Sequence, residues 1–282
     1  MVLLIIHFHF LLPIHADICY NAYYQQYQLR EYMKGFLFMK LQQLLSLTRK
    51  AIEEYSMIDD GDKIAIGISG GKDSLALLYA LSNLRRFYPK HFDIEAVTVS
   101  TGIDGMDFTE IANLCKELGV NYTIVNTQIY EIVFNARKES NPCSLCAKMR
   151  KGAFNNKAIE LGCNKIAYAH HKDDLVESLM MSLIYEGRIH TFSPVTHLEK
   201  SNLTLIRPLL YINEADIIGF KNKYNLPVVK NLCPADGFTK REYASNLLKE
   251  INHESPGAKN RIFSAIINGN LEGFPERKRT ER

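Results

Sequence analysis

The segment Ser69-Gly70-Gly71-Lys72-Asp73-Ser74 places two glycines, two hydroxyls, an ammonium and a carboxylate in one short stretch between an apolar run and a helical pattern. Such a stretch can cradle an anion. The glycines let the backbone come close to a phosphate, and a helix N-terminus presents free N–H groups. Ser69, Lys72 and Ser74 add donors. The bland alternative is a tight turn with capping serines. A Walker A loop would need glycine where Ile66 stands and Ser or Thr where Asp73 stands. A Rossmann fingerprint is broken across Gly67-Ile68-Ser69. Gly67-Ile68-Ser69-Gly70-Gly71 formally fits a hydrolase nucleophile elbow, but that elbow follows several strands and only a helix precedes this one.

Thiols are the second set. Six cysteines stand at positions 19, 115, 143, 146, 163 and 233, too few for a disulfide scaffold in 282 residues. Cys143-Ser144-Leu145-Cys146 is a C-x-x-C, which reads as half a zinc site, a redox pair or an accident. There is no second C-x-x-C, so a four-cysteine zinc site is excluded, although His170 or His171 would complete a mixed one. Cys233, in Asn231-Leu232-Cys233-Pro234, is the remaining thiol on a suitable loop. Three thiolates with an open position suit a [4Fe-4S] cluster whose fourth iron takes an outside ligand. Taken alone, Cys233 is equally a small apolar loop residue. Cys115 shares a helix face with Ile111, Leu114 and Leu118 and belongs to the core, while Cys163 and Cys19 find no partner.

Strands and helices must position these groups, and they alternate along the chain. Helical spacing over 40–55 is followed by a buried-strand pattern over 63–68, the glycine turn, and a helix carrying Leu75, Leu78 and Leu81. Strands are expected over 94–100, 122–125, 165–169, 203–206 and 226–229. Helices are expected over 107–118, 148–161, 173–185 and 213–224, the last with Asn213 as N-cap. Gly119 and Gly162 close two of them. This order predicts an α/β fold: a doubly wound, mostly parallel sheet with helices on both faces. Ligands then lie beyond the carboxyl ends of the strands, in the loops after Ile68, Val99, Ala169 and Ile206.

The pattern S-G-G-x-D-S resembles the PP-loop of the ATP-pyrophosphatase superfamily. Adding Cys143 to Gly152, Ala169-His170-His171-Lys172-Asp173-Asp174, Ile206-Arg207-Pro208-Leu209 and Asn231-Leu232-Cys233, in this order, the chain resembles the iron–sulfur tRNA 2-thiocytidine synthetases over about residues 40–250. The resemblance implies ATP bound by Ser69, Gly70, Gly71, Lys72, Asp73 and Ser74, with Ala169 and His170 lining the adenosine pocket. Asp73 would position Mg²⁺, and Lys72 and Asp174 would join it in catalysis. Cys143, Cys146 and Cys233 would hold the [4Fe-4S] cluster. The implied reaction adenylates an anticodon-loop cytidine of tRNA and replaces its 2-oxygen with sulfur, from a donor such as a cysteine desulfurase. A homodimer stays open. Rival readings are a PP-loop thiolase of another base or small molecule, and a non-catalytic redox sensor binding ATP and a cluster. Departures from the family lie at Pro234 to Phe238 and in Ser100-Thr101-Gly102-Ile103-Asp104. The absence of the terminal zinc-binding C-x-x-C pairs of 2-thiouridine enzymes favours the cytidine branch.

Bulk properties fit this picture without carrying it. A net charge of +3 permits an RNA partner without demanding one, and 46% apolar residues allow a sizeable core. Among the basic clusters, Lys148, Arg150 and Lys151 beside the cysteine pair are expected on RNA phosphate, since the base must reach that spot. Asp173, Asp174 and Glu177 crowd a helix start, where dipole and capping stabilisation explains carboxylates without any catalysis. Met1 to Ile14 is apolar, but it lacks a basic n-region and is too short to span a bilayer. The expected organisation is a dispensable extension over 1–38, a PP-loop domain over 39–252 and a C-terminal tail over 253–282 with disorder from Ser255 onward. The expected location is the cytoplasm, with no membrane contact.

Overall fold

The computed structural model describes residues 39–137, 142–234 and 240–269. Residues 1–38, the expected dispensable extension, lie outside them. Residues from Lys40 onward form one compact unit.

Six strands make one sheet: β1 Asp62–Gly67, β2 Phe92–Ser100, β3 Asn121–Asn126, β4 Lys165–Ala167, β5 Val195–Leu198 and β6 Leu203–Ile206. Their order is β3-β2-β1-β4-β6-β5, parallel throughout except for β5, which runs antiparallel to β6 at the edge. The helices are α1 Leu41–Glu54, α2 Lys72–Leu84, α3 Thr109–Glu117, α4 Pro142–Glu160, α5 Lys172–Met181, α6 Glu214–Lys223, α7 Lys240–Glu254 and α8 Ala258–Asn268. Two π-helical stretches, Glu131–Ala136 and Ser182–Glu186, complete the set. Chain order reverses between β1 and β4, so the crevice at their carboxyl ends is the switch point at which such sheets bind ligands. Strand β1 is central. Ile64, Ala65 and Ile66 are fully buried, as expected of a strand covered on both faces.

Four sequence expectations change. The helix after the cysteine pair begins at Pro142, so Cys143 and Cys146 stand on the first turn of α4 and not in a loop before it. Proline is pre-organised for a first helical position, since its missing N–H has no partner to lose there. No strand forms over 226–229; Val229 instead donates its N–H to the Gly70 carbonyl at 2.9 Å. The edge strand β5, unforeseen, pairs with β6 through a turn in which Asn202 has φ +51°. Finally, the tail carries a helix over Ala258–Asn268 in place of the expected disorder. Helix α8 buries Phe263 and Ile266, and its Lys259 Nζ lies 2.9 Å from Asp173 Oδ1. Among the described residues no helix is long and apolar enough to cross a membrane.

Candidate active site

The turn between β1 and α2 is built by its own side chains. Gly70 has φ +84°, a backbone that favours glycine. The Gly71 N–H donates to Ser69 Oγ at 3.2 Å, and the Ser69 N–H donates to Ser74 Oγ at 3.2 Å. Ser74 Oγ in turn donates to the Gly71 carbonyl at 2.9 Å. The shape of the loop is therefore fixed by its own side chains before any anion arrives, at the N-terminus of α2.

Two carboxylates flank it. Asp73 Oδ1 is buried without a hydrogen-bond partner. His171 Nε2 stands 3.7 Å from it, beyond hydrogen-bond reach. A buried anionic oxygen left unpaired is costly, and a hard cation such as Mg²⁺ would satisfy it, so the residue fits the metal role. Asp174 accepts the His171 N–H at 2.9 Å, closing a capping box at the start of α5, and pairs with Arg241 Nη1 at 3.0 Å. Capping and a place at the site are thus combined in one side chain. Asp173 is different: it accepts the Glu214 N–H at 2.7 Å and pairs with Lys259, a structural assignment. Glu177 is buried, and burial raises its pKa although Ser245 donates to it.

These groups surround a cavity of about 560 Å³ lined by Ser69, Asp73, Ser74, Ala169, His170 and Asp174, together with Lys151 and Arg241. Most of the expected nucleotide residues therefore meet in one place. Lys72 does not line it. Its ammonium lies between Asp73 (3.1 Å) and Glu214 at the start of α6 (3.0 Å). Burial opposes the Lys72 charge, but Asp73 and Glu214 outweigh that and raise its pKa. Lys72 thus ties the loop to α6. Arg241 was missed by sequence reading, because its partner Asp174 is 67 residues away and no motif surrounds it.

A second cavity of about 270 Å³ is lined by Cys143, Cys146 and Cys233, with apolar walls from Ile103, Met106 and Phe134. Topology brings Cys233 to the pair across almost ninety residues. All five described cysteines are free; Cys115 and Cys163 are buried elsewhere, with thiols pushed up to about 11 by burial. Burial also raises the Cys146 thiol; Arg150 counters this, and Cys233 and Cys143 add to it, so Cys146 feels both of the other thiols. Among the described residues no three His, Cys, Asp or Glu side chains stand close enough to hold a single metal ion. Ligands of a four-iron cluster each bind a different iron and stand further apart. Three thiols around an apolar cavity fit that group better than a mononuclear site.

The two cavities meet. Ser69, Val99, Ala147 and Arg150 line both. Of the expected RNA-contacting residues, Arg150 and Lys151 face the cavities, whereas Lys148 is exposed on α4 and faces neither.

The family model described as PP-loop domain matches residues 41–244. The chain is 36% identical over 222 residues to the tRNA-cytidine(32) 2-sulfurtransferase of Geobacter metallireducens, covering 78% of this chain and 86% of that one. Against the protein of that name from Pelobacter propionicus it is 37% identical, covering 78% and 82%. Among solved structures, the U34-tRNA thiolase NcsA from Methanococcus maripaludis with its [4Fe-4S] cluster superposes with a TM-score of 0.67. Its identity is 26%, over 79% of this chain and 76% of that one. With the loop, the switch-point crevice and the three thiols all in place, the chain belongs to the PP-loop family, in the branch of the tRNA-cytidine(32) 2-sulfurtransferases.

Proposed function

We propose that this protein uses ATP to activate cytidine 32 of tRNA and replaces its 2-oxygen with sulfur. The observation that carries the reading is the shared wall: a nucleotide-sized cavity at the PP-loop adjoins a cavity lined by three cysteines, with Arg150 on both. In the first half-reaction the base oxygen attacks the α-phosphate and pyrophosphate leaves. In the second, sulfur entering as hydrosulfide bonds to C2, AMP departs with the former base oxygen, and a proton is released.

The chain's own residues divide the work. The loop N–H groups with Ser69 and Ser74 hold the phosphates; Asp73 would hold Mg²⁺, which would supply positive charge to the pyrophosphate end. Asp174, braced by Arg241 and the His171 N–H, keeps a negative wall opposite the loop. Arg150 and Lys151 bring the RNA backbone to the opening, and an unpaired loop base is the kind that is splayed into a pocket cheaply. Cys143, Cys146 and Cys233 hold the [4Fe-4S] cluster. When bound, it supplies an iron without a protein ligand, at which sulfur can be held.

The reaction belongs in the cytoplasm, where thiols stay reduced, with tRNA and a sulfur donor such as a cysteine desulfurase as partners, a cellular thiol reductant supplying the two electrons that bring persulfide sulfur to hydrosulfide. The deciding experiment adds unmodified tRNA and sulfide to anaerobically prepared protein with ATP and Mg²⁺. Pyrophosphate release should depend on the tRNA, and mass spectrometry of its nucleosides should show 2-thiocytidine. Release without thiolation of cytidine would reject the reading in favour of another acceptor.

A further inference from the structure

Arg207 opens the loop after β6 and is itself buried. Its Nη1 donates to the Ser193 carbonyl and to Thr196 Oγ1 at 3.1 Å, and its Cζ sits 4.8 Å from the centre of the Phe192 ring. With the guanidinium thus fixed, its Nε donates to His170 Nδ1 at 3.2 Å. A guanidinium has no acceptor, so Nδ1 must offer its lone pair there. In a neutral imidazole the proton then sits on Nε2. The ring cannot turn over freely, because it packs at 5.0 Å on Phe192 and edge-on to Tyr168 at 5.9 Å. His170 also lines the nucleotide cavity. Its Nε2 has no protein partner among the described residues, and it is not sealed from the cavity.

We propose that Arg207 is a positioning residue that locks His170 in its Nε2–H tautomer, making it a neutral hydrogen-bond donor to an uncharged acceptor, a purine ring nitrogen, of the bound nucleotide. The inference deepens the ATP reading above and rests on it. A neutral donor suits the base end of the nucleotide, because the phosphates are served by the loop N–H groups and the metal. The electrostatics agree with the geometry. Burial takes the His170 pKa down to about 4; Asp174 acts against this, while Arg207, Arg241 and His171 act with it. Arg207 itself is lowered by burial to about 10, which leaves it charged at neutral pH. The same arginine joins the β5–β6 hairpin to the pocket, a reason for the hairpin's place at the edge of the sheet.

The test is long-range ¹H–¹⁵N correlation spectroscopy on the full chain labelled at histidine, with and without ATP. His170 should show an unprotonated Nδ1 and a protonated Nε2 at pH 7, unchanged at pH 5, and ATP should shift the Nε2–H signal. An Nδ1–H tautomer, or a mixture, would overturn the proposal without variant or turnover. So would saturation with ATP, checked by calorimetry, that leaves Nε2 unmoved. Failure of ATP to bind at all would reject the functional reading as well, so the two failures are told apart. In Arg207→Met the tautomer should become mixed, and KM for ATP should rise about tenfold, the scale of one lost hydrogen bond, with a smaller change in kcat. His170→Gln, which keeps a neutral donor, should retain more ATP affinity than His170→Ala; equal losses would count against the donor role. Of the 1-, 3- and 7-deaza analogues of ATP, one should bind more weakly to the native protein yet no more weakly than ATP to His170→Ala. Equal binding of all three would overturn the purine assignment.

Discussion

Val229 and Gly70, 159 positions apart in the chain, lie against each other: the valine N–H donates to the glycine carbonyl at 2.9 Å. A side-chain carbon on Gly70 would begin 3.1 Å from Val229 Cβ. The segment leading to Cys233 is thereby fastened to the phosphate loop. Gly70→Ala must pay about 1–2 kcal/mol for a left-handed backbone before any clash is counted. We expect Tm to fall by several degrees and pyrophosphate release to fall at least about tenfold through misplacement of the loop. Adding Val229→Ala, which keeps the contacting Cβ, should recover little of the stability or the activity. Calorimetry and a pyrophosphate assay check both statements.

Asp73→Ala should abolish pyrophosphate release at saturating Mg²⁺ while shifting Tm by no more than about 2 °C, since a partly exposed ion pair contributes little. Lys72 keeps Glu214 in that variant. Substantial turnover in the variant would remove the metal role from Asp73.

Alanine at Cys143, Cys146 or Cys233 should each eliminate bound iron and thiolation and leave ATP affinity within about threefold, because the phosphates are held on a separate loop. Cys115→Ala and Cys163→Ala should keep activity and lose stability by about 1 kcal/mol, the cost of trimming a small buried side chain. Iron analysis together with nucleoside mass spectrometry distinguishes the two groups; iron retained in full in Cys233→Ala would remove Cys233 from the cluster ligands.

Glu177 gives a pH signature. Its folded pKa is raised, so between the unfolded value and the folded one the native state binds more protons than the unfolded chain. Its contribution is therefore fully present below the unfolded pKa and is lost as pH rises through the folded one. Glu177→Gln should have no such loss. Melting curves from pH 4 to 8 should show the variant gaining on the native protein as pH rises and then holding a constant lead.

A chain that begins at Met39 should remain folded and thiolate tRNA at the rate of the full chain. Helix α1 starts at Leu41, whose N–H is received by the Tyr224 hydroxyl at 3.1 Å, within the compact unit. Loss of activity on such truncation would show that residues 1–38 contribute to the site.

Local signals were readable where the residues concerned are near one another in the chain. The strand–glycine turn–helix at 62–84, the cap at Asn213 and the closing glycines at 119 and 162 follow from spacing and backbone preference, and the structure has them. What escaped depends on distant partners. Val228 and Val229 have strand-like side chains, but the N–H of Val229 is spent on Gly70, so no ladder forms. Strand β5 is short, follows Pro194 and is only half-buried, which leaves no alternation to read. The pairing of Lys72 with Glu214 has no local sign in the loop sequence, and neither has that of Arg241 with Asp174.

The wall shared by the two cavities has a kinetic meaning. An adenylated cytidine is electrophilic at the carbon that sulfur must reach, and water can attack that carbon too, returning the original base with ATP spent for nothing. Because Ser69, Val99, Ala147 and Arg150 border both chambers, the activated base need only cross from one side of a residue to the other, within a single encounter. Held reactants meet at an effective concentration far above that of any free sulfide, so futile hydrolysis is outrun by proximity and not by a chemical barrier.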